Sequence, residues 1–137
     1  MNMKLDELED AFFFVNSAPP FTHSAVFSRD TGKFYYTSEL GDIDEIPEDL
    51  DYERCIEIPQ KNDLDLGVAL VSEFVSERLP DKINKVDRIF SHRGAYSRYK
   101  QMLEEKGLLD EWYTYENECT RSELRKWCKD EGIEVTG

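Results

Sequence analysis

Five residues in this chain could do chemistry by type and spacing: Arg93, Tyr96 and Lys100, two cations around an aromatic ring, and Asp63 and Asp65, two carboxylates two positions apart. Guanidinium and ammonium groups recognise carboxylates or phosphates, and a tyrosine between them offers a flat face for stacking. A pair of carboxylates could share acid–base work in a cleft. The first three residues close a basic run, Lys82 to Lys100, with six bases (Lys82, Lys85, Arg88, Arg93, Arg98, Lys100) and one acid, Asp87. That is a local charge of +5 inside a chain of net charge −13, so all other residues sum to −18. Segregated charge of this kind marks a surface that meets a partner.

The remaining reactive groups form no recognisable catalytic set. His23 and His92 are the two histidines, and nothing in the sequence places either beside a nucleophile. Cys55, Cys119 and Cys128 fit neither the paired spacing of a zinc site nor an even disulfide framework. Residues 39–53 hold eight acids and no base, but Gly41 precedes the acids of Asp42-Ile43-Asp44-Glu45, which is not the order of a calcium loop. Acidic mimicry of nucleic acid and a plain solvated loop are the other two readings of that run, and the solvated loop is the simpler. No glycine-rich phosphate loop, nucleophile elbow or His-Glu-x-x-His element occurs, so no catalytic residue, metal site or cofactor is assigned.

The elements that must position these groups follow from periodicity. At 137 residues, with 8 Phe, 7 Tyr and 2 Trp, one domain spanning 1–137 is expected, large enough for a core without disulfides. Leu5, Leu8, Phe12 and Val15 recur at helical spacing over 4–15, and Pro19-Pro20 ends that helix. Ser24 to Arg29 and Lys33 to Ser38 read as a hairpin around Asp30-Thr31-Gly32, and Arg54 to Ile58 as a third strand. After Pro59 the pattern becomes helical. Asn62 or Asp63 is expected to cap a helix carrying Leu66, Leu70, Val71, Phe74 and Val75 as far as Leu79, and further helices are expected over 81–90, 94–106 and 108–116. Gly107 is the expected left-handed stop of the 94–106 helix. Thr120-Arg121-Ser122-Glu123 matches a capping box opening a last helix with Leu124, Trp127 and Cys128 on its apolar side. The fold class is therefore α+β: an N-terminal helix, a small three-stranded antiparallel sheet, then a C-terminal half of four to five packed helices.

At about 100° per residue, and with Ala95, Tyr99 and Leu103 inward, Arg98 and Lys100 emerge on opposite flanks of their helix. They cannot share one phosphate. Arg93, if it lies in the first turn, realigns with Lys100, with Tyr96 at the core border between them; the bland alternative pairs Lys100 with Glu104 and buries Tyr96. Trp112, Tyr113, Tyr115 and Trp127 read as core aromatics or as a partner groove.

The order of Asp30-Thr31-Gly32, Tyr35-Tyr36, the segment Ile58 to Gly67 with its Asp-Leu-Asp-Leu-Gly ending, Arg93 to Lys100, Gly107 to Tyr113 and Trp127-Cys128 resembles the bacterial uncharacterised protein family 0158 over nearly the full length. Tyr99 stands where that family often has phenylalanine. The family has no established activity, so the resemblance implies no mechanism; it directs attention to 63–67 and 93–100.

The leading expectation is a small non-enzymatic protein-binding or regulatory domain acting through Arg93, Tyr96 and Lys100, with Asp63 and Asp65 as a second point of interest. An RNA- or nucleotide-binding domain using 82–100 is the alternative, disfavoured by the net negative charge. A hydrolase built on Asp63 and Asp65 or on His92 is the third reading. The N-terminus lacks the profile of a signal peptide and no apolar run reaches membrane-spanning length, so a cytoplasmic protein with no membrane partner is expected.

Overall fold

The computed structural model describes residues 2–19, 21–41 and 43–137. Their order is β1 (Asn2–Lys4), α1 (Leu5–Val15), β2 (His23–Ser28), β3 (Phe34–Ser38), β4 (Cys55–Glu57), α2 (Val68–Arg78), α3 (Ile83–Ile89), α4 (Ala95–Glu105), α5 (Leu109–Asp130) and β5 (Glu134–Thr136). The α+β class expected from periodicity is what the chain adopts. Two compact units emerge, one from residues 1–64 and 121–137, the other from 65–120.

In the first unit, β2 lies between β3 and β4, antiparallel to both. Ser28 sets the hairpin turn, its Oγ accepting from the N–H of Asp30 and Thr31. α1 follows its predicted stripe, with Leu5, Leu8, Ala11, Phe12 and Val15 buried and Asp6 and Glu7 in the first turn, where carboxylates complement the helix dipole. Asn16 then does two jobs. Its amide donates to the Phe12 carbonyl at 2.8 Å, and its Oδ1 accepts from the Lys61 N–H at 2.8 Å, which ties the segment after β4 to the end of α1.

Three features of the sheet-bearing unit and of α5 depart from expectation. First, β1 and β5 form a parallel two-stranded sheet, Met3 opposite Val135, which periodicity did not reveal because each strand has three residues. Second, the acidic run is pinned on the sheet: the Ser38 N–H donates to the Ile43 carbonyl and the Glu45 N–H to the Tyr36 carbonyl at 2.9 Å each, closing the outer edge of β3. Its described acids still face solvent. Third, α5 runs unbroken through the expected capping box. Thr120 is 5% exposed inside the helix, and Asn117-Glu118-Cys119 contains neither proline nor glycine to interrupt the ladder. A box sequence caps a helix only where the preceding residues leave helical dihedrals, and these do not. The C-terminal part of α5 gives Leu124 and Cys128 to the core beside Met3 and Ile133. Burial pushes the Cys128 thiol up to about 11, which makes it inert near neutral pH.

The second unit is helical. α2 begins at Val68 after Gly67, not at the expected Asn62 or Asp63 cap, because residues 61–64 form a separate 3-10 turn and Asp65 takes a left-handed φ of 55° that helical propagation cannot pass. Leu70, Val71, Phe74, Val75, Val86, Tyr99, Leu103 and Trp112 fill its core. Gly107, at φ 71°, stops α4 as expected: the Leu108 N–H returns to the Leu103 carbonyl and the Gly107 N–H to Glu104.

Candidate functional site

In the helical unit the basic segment occupies the 3-10 turn at 80–82, α3, the following turn and the first half of α4. With Val86 inward, Lys85 and Arg88 project about 60° apart on one side of α3, and Asp87 leaves on the other flank. On α4, Tyr99, Met102 and Leu103 are buried, so Arg98 and Lys100 diverge to opposite flanks. Arg93 is not part of this helix. Gly94, at φ 73°, precedes the first residue, so the helical alignment of Arg93 with Lys100 does not form, although both remain in the same unit.

Tyr96 is neither core nor free. It is 38% exposed, stands edge-on to Phe90 at 5.0 Å, and its phenol is raised by burial and by the nearby Glu116 charge. Lys100 places its Nζ 5.4 Å from the centre of the exposed Tyr113 ring, a cation–π contact in place of the expected Glu104 pair. Among the described residues, none of Lys82, Lys85, Arg88, Arg93, Arg98 and Lys100 has a carboxylate within 4.0 Å. The charge segregation read from the sequence therefore persists as uncompensated surface charge.

The aromatic residues near the C-terminus divide. Trp112 is core, edge-to-face with Phe74 at 5.3 Å and with Tyr99 at 5.1 Å. Tyr115 donates to Glu73 Oε2 at 3.2 Å, and its phenol is raised by burial first and then by neighbouring Cys119, Glu73 and Glu77. Two buried polar atoms, Tyr99 Oη and Trp112 Nε1, have no hydrogen-bond partner among the described residues. Trp127, in the other unit, is half-buried and lines a pocket.

That pocket, of about 300 Å³, is where Asp63 sits. Asp63 Oδ2 accepts from the Gln60 N–H at 3.0 Å, closing the turn that forms one wall. Phe21, Pro59, Leu64 and Trp127 supply the apolar lining and Glu57 a second carboxylate. Asp65 belongs to the helical unit and is exposed. Neither Asp63 nor Asp65 hydrogen-bonds to another side chain among the described residues, and the His92 ring has no partner there either.

Sequence reading missed one pair that does meet: Ser17 Oγ lies 3.0 Å from His23 Nδ1. Its direction is wrong for nucleophile activation. The Ser17 hydroxyl donates to the Phe14 carbonyl at 2.7 Å, and Nδ1 also lies 3.1 Å from that carbonyl, so Nδ1 carries the proton and donates. His23 also stacks on Phe14 at 4.5 Å, which makes it a packing residue at the end of α1.

Of the acidic run, Asp42 lies outside the described residues, as does Pro20 in the predicted helix stop. Among the described residues, no group of three or more His, Cys, Asp or Glu side chains is placed to hold a metal ion, and no helix is long and apolar enough to cross a membrane. No curated protein and no solved structure matches the chain. Residues 28–136 do match a family described as uncharacterised, UPF0158, and the match takes in β3 to β5, the pocket segment 57–64 and the basic segment. The chain belongs to that family.

Proposed function

We propose that this protein is a non-enzymatic, cytoplasmic protein-binding or regulatory domain whose basic segment, residues 82–100, receives an acidic stretch of a partner protein. One observation supports this reading above others: six cations stand without counter-charge in a chain with nearly twice as many acids as bases. Elsewhere Arg54, Arg78, Arg121 and Lys126 do form local ion pairs, exposed pairs of that kind being worth about 0.2–1 kcal/mol each. Here they are left to an outside partner. Their divergence also favours an extended ligand over a compact one, since Arg98 and Lys100 cannot converge on one phosphate.

Tyr96 supports a second reading, a single-stranded nucleic acid stacked on its exposed face. Against it stand Glu116 beside that ring and the net charge of −13, which repels a polyanion longer than the basic segment. Both readings meet one experiment. A fluorescently labelled 15-residue glutamate-rich peptide and a 15-nucleotide single-stranded RNA are titrated with the protein at 50 and 300 mM salt. The expected result is micromolar binding of the peptide at low salt, weakened about tenfold at the higher salt and about tenfold again by Lys85→Glu/Arg88→Glu. Tighter binding of the RNA would transfer the site to nucleic acid, and peptide affinity indifferent to the charge reversals would remove it altogether.

A further inference from the structure

We propose a second recognition site of opposite preference in the sheet-bearing unit: the pocket at Trp127 takes a cationic side chain, an arginine or lysine, from a short extended segment of a partner laid along the outer edge of β4. It is independent of the basic segment in residues, ligand charge and unit.

The lining dictates the ligand class. Phe21 and Trp127 supply aromatic faces, Pro59 and Leu64 apolar walls, and Asp63 and Glu57 carboxylates, while no base lines the pocket. Aromatic rings attract cations through their negative faces, and carboxylates at the same mouth add a charge to pair with. Asp63 keeps Oδ1 available, since only Oδ2 accepts from Gln60. Glu57 has no ion pair among the described residues. The surrounding unit carries nineteen acids against nine bases, so its field favours a cation at long range. At about 300 Å³ the pocket lies at the small end for ligand sites, which suits one side chain better than a cofactor.

Two features show lining groups held ready. Phe21 is 73% exposed and sits at φ 68°, a left-handed conformation that bulky residues avoid. Flanking hydrogen bonds hold it there: the Thr22 N–H donates to the Pro19 carbonyl at 3.1 Å, and the Glu39 N–H to the Thr22 carbonyl at 2.8 Å. A strained backbone that keeps a large ring in water is unexplained by packing and accords with a binding role. The Trp127 side chain, for its part, has no hydrogen-bond or ring partner among the described residues, so its indole N–H is also unclaimed.

The edge of β4 specifies a peptide. In the β2–β4 register Val26 faces Glu57 and Ser28 faces Cys55. The Ile58 N–H donates to Ala25 and the Arg29 N–H to Arg54, so these flanking pairs bond across the ladder and the alternation turns the backbone groups of Cys55 and Glu57 outward. The Cys55 N–H is taken by the Tyr52 carbonyl, leaving the Cys55 carbonyl and both backbone groups of Glu57 unpaired among the described residues. Pro59, two residues on, offers no donor. The open edge is thus short and, unlike the outer edge of β3, has no strand-like segment bonded along it among the described residues; it leads directly into the pocket through Glu57. A brief added strand with one anchored side chain satisfies both.

The test uses the full chain labelled with ¹⁵N and an uncharged-flank pentapeptide with a central arginine, beside the same peptide with citrulline, which keeps the shape and removes the charge. The indole N–H signal of Trp127, identified by its loss in Trp127→Phe, should shift to saturation with the arginine peptide while that of Trp112 stays in place. Citrulline should weaken binding at least tenfold, and Asp63→Asn and Glu57→Gln each about three- to tenfold. Glu57→Gln leaves the Asp63 turn intact, so it guards against a folding artefact in the first variant. No shift of Trp127, or equal binding of the citrulline peptide, would overturn the proposal. So would unchanged affinity in both carboxylate variants. Lys85→Glu/Arg88→Glu should not alter this binding, so the two sites succeed or fail separately.

Discussion

The two units engage their cations to different degrees. In the sheet-bearing unit, Arg54 pairs with Asp30 at 3.0 Å, Arg121 with Glu9, Lys126 with Glu123 at 3.2 Å, and Arg29 and Arg125 donate to the backbone carbonyls of Glu131 and Gly137. In the helical unit only Arg78 has an ion partner among the described residues, Glu111 at 3.1 Å. The sheet-bearing unit therefore engages five of its nine bases internally, with Lys4, Lys33, Lys61 and Lys129 unpaired among the described residues, whereas the helical unit engages one of its eight in an ion pair. The latter keeps a run of cations unanswered even though acids are plentiful in the chain. Net charge conceals this difference, and a protein of net −13 can carry one surface for anions and one for cations.

Their packing differs in the same instructive way. The Arg121–Glu9 pair is satisfied within its unit, with Glu9 only 17% exposed, whereas the helical core buries two polar atoms, Tyr99 Oη and Trp112 Nε1, without partners.

The largest expected effect concerns α5, which contributes to both units. Ser122→Pro should destabilise the protein by about 3 kcal/mol or more in urea unfolding, because an exposed interior helical residue loses a hydrogen bond and gains a clash. Were Thr120 the cap of a separate helix, Ser122 would lie in the first turn, where proline is accepted, and the change would be nearly neutral. A smaller effect is expected in the helical core. Tyr99→Phe removes a buried hydroxyl with no partner and should raise the stability by about 1 kcal/mol, read as a higher urea midpoint at unchanged slope. A loss of stability on that change would mean the hydroxyl is satisfied in solution.

What could be read from the chain beforehand had a local cause. The stripe of α1, the hairpin around Gly32 and the stop at Gly107 depend on neighbouring residues, and so did the basic run, a property of composition alone. The failures were of two kinds. Thr120-Arg121-Ser122-Glu123 has the chemistry of a cap, but helical residues before it removed the need for one. β1 and β5 are three residues each and pair across the whole chain, beyond any periodic signal. The pocket was invisible for the same reason: Phe21, the 57–64 segment and Trp127 are far apart in sequence, and Asp63 and Trp127 drew notice only separately, one as a carboxylate and the other as one of the C-terminal aromatics. An aromatic directly after two prolines was the one local hint, because the turn it occupies cannot place it in a helix or strand face.

The most direct measurement is a pair of ¹H–¹⁵N titrations of the same sample, one with the acidic peptide and one with the arginine peptide. The account predicts that the acidic peptide shifts amides within 82–100 and leaves 57–64 and the Trp127 indole in place, and that the arginine peptide does the reverse. Both peptides perturbing one common set of residues, or neither perturbing any, would contradict it.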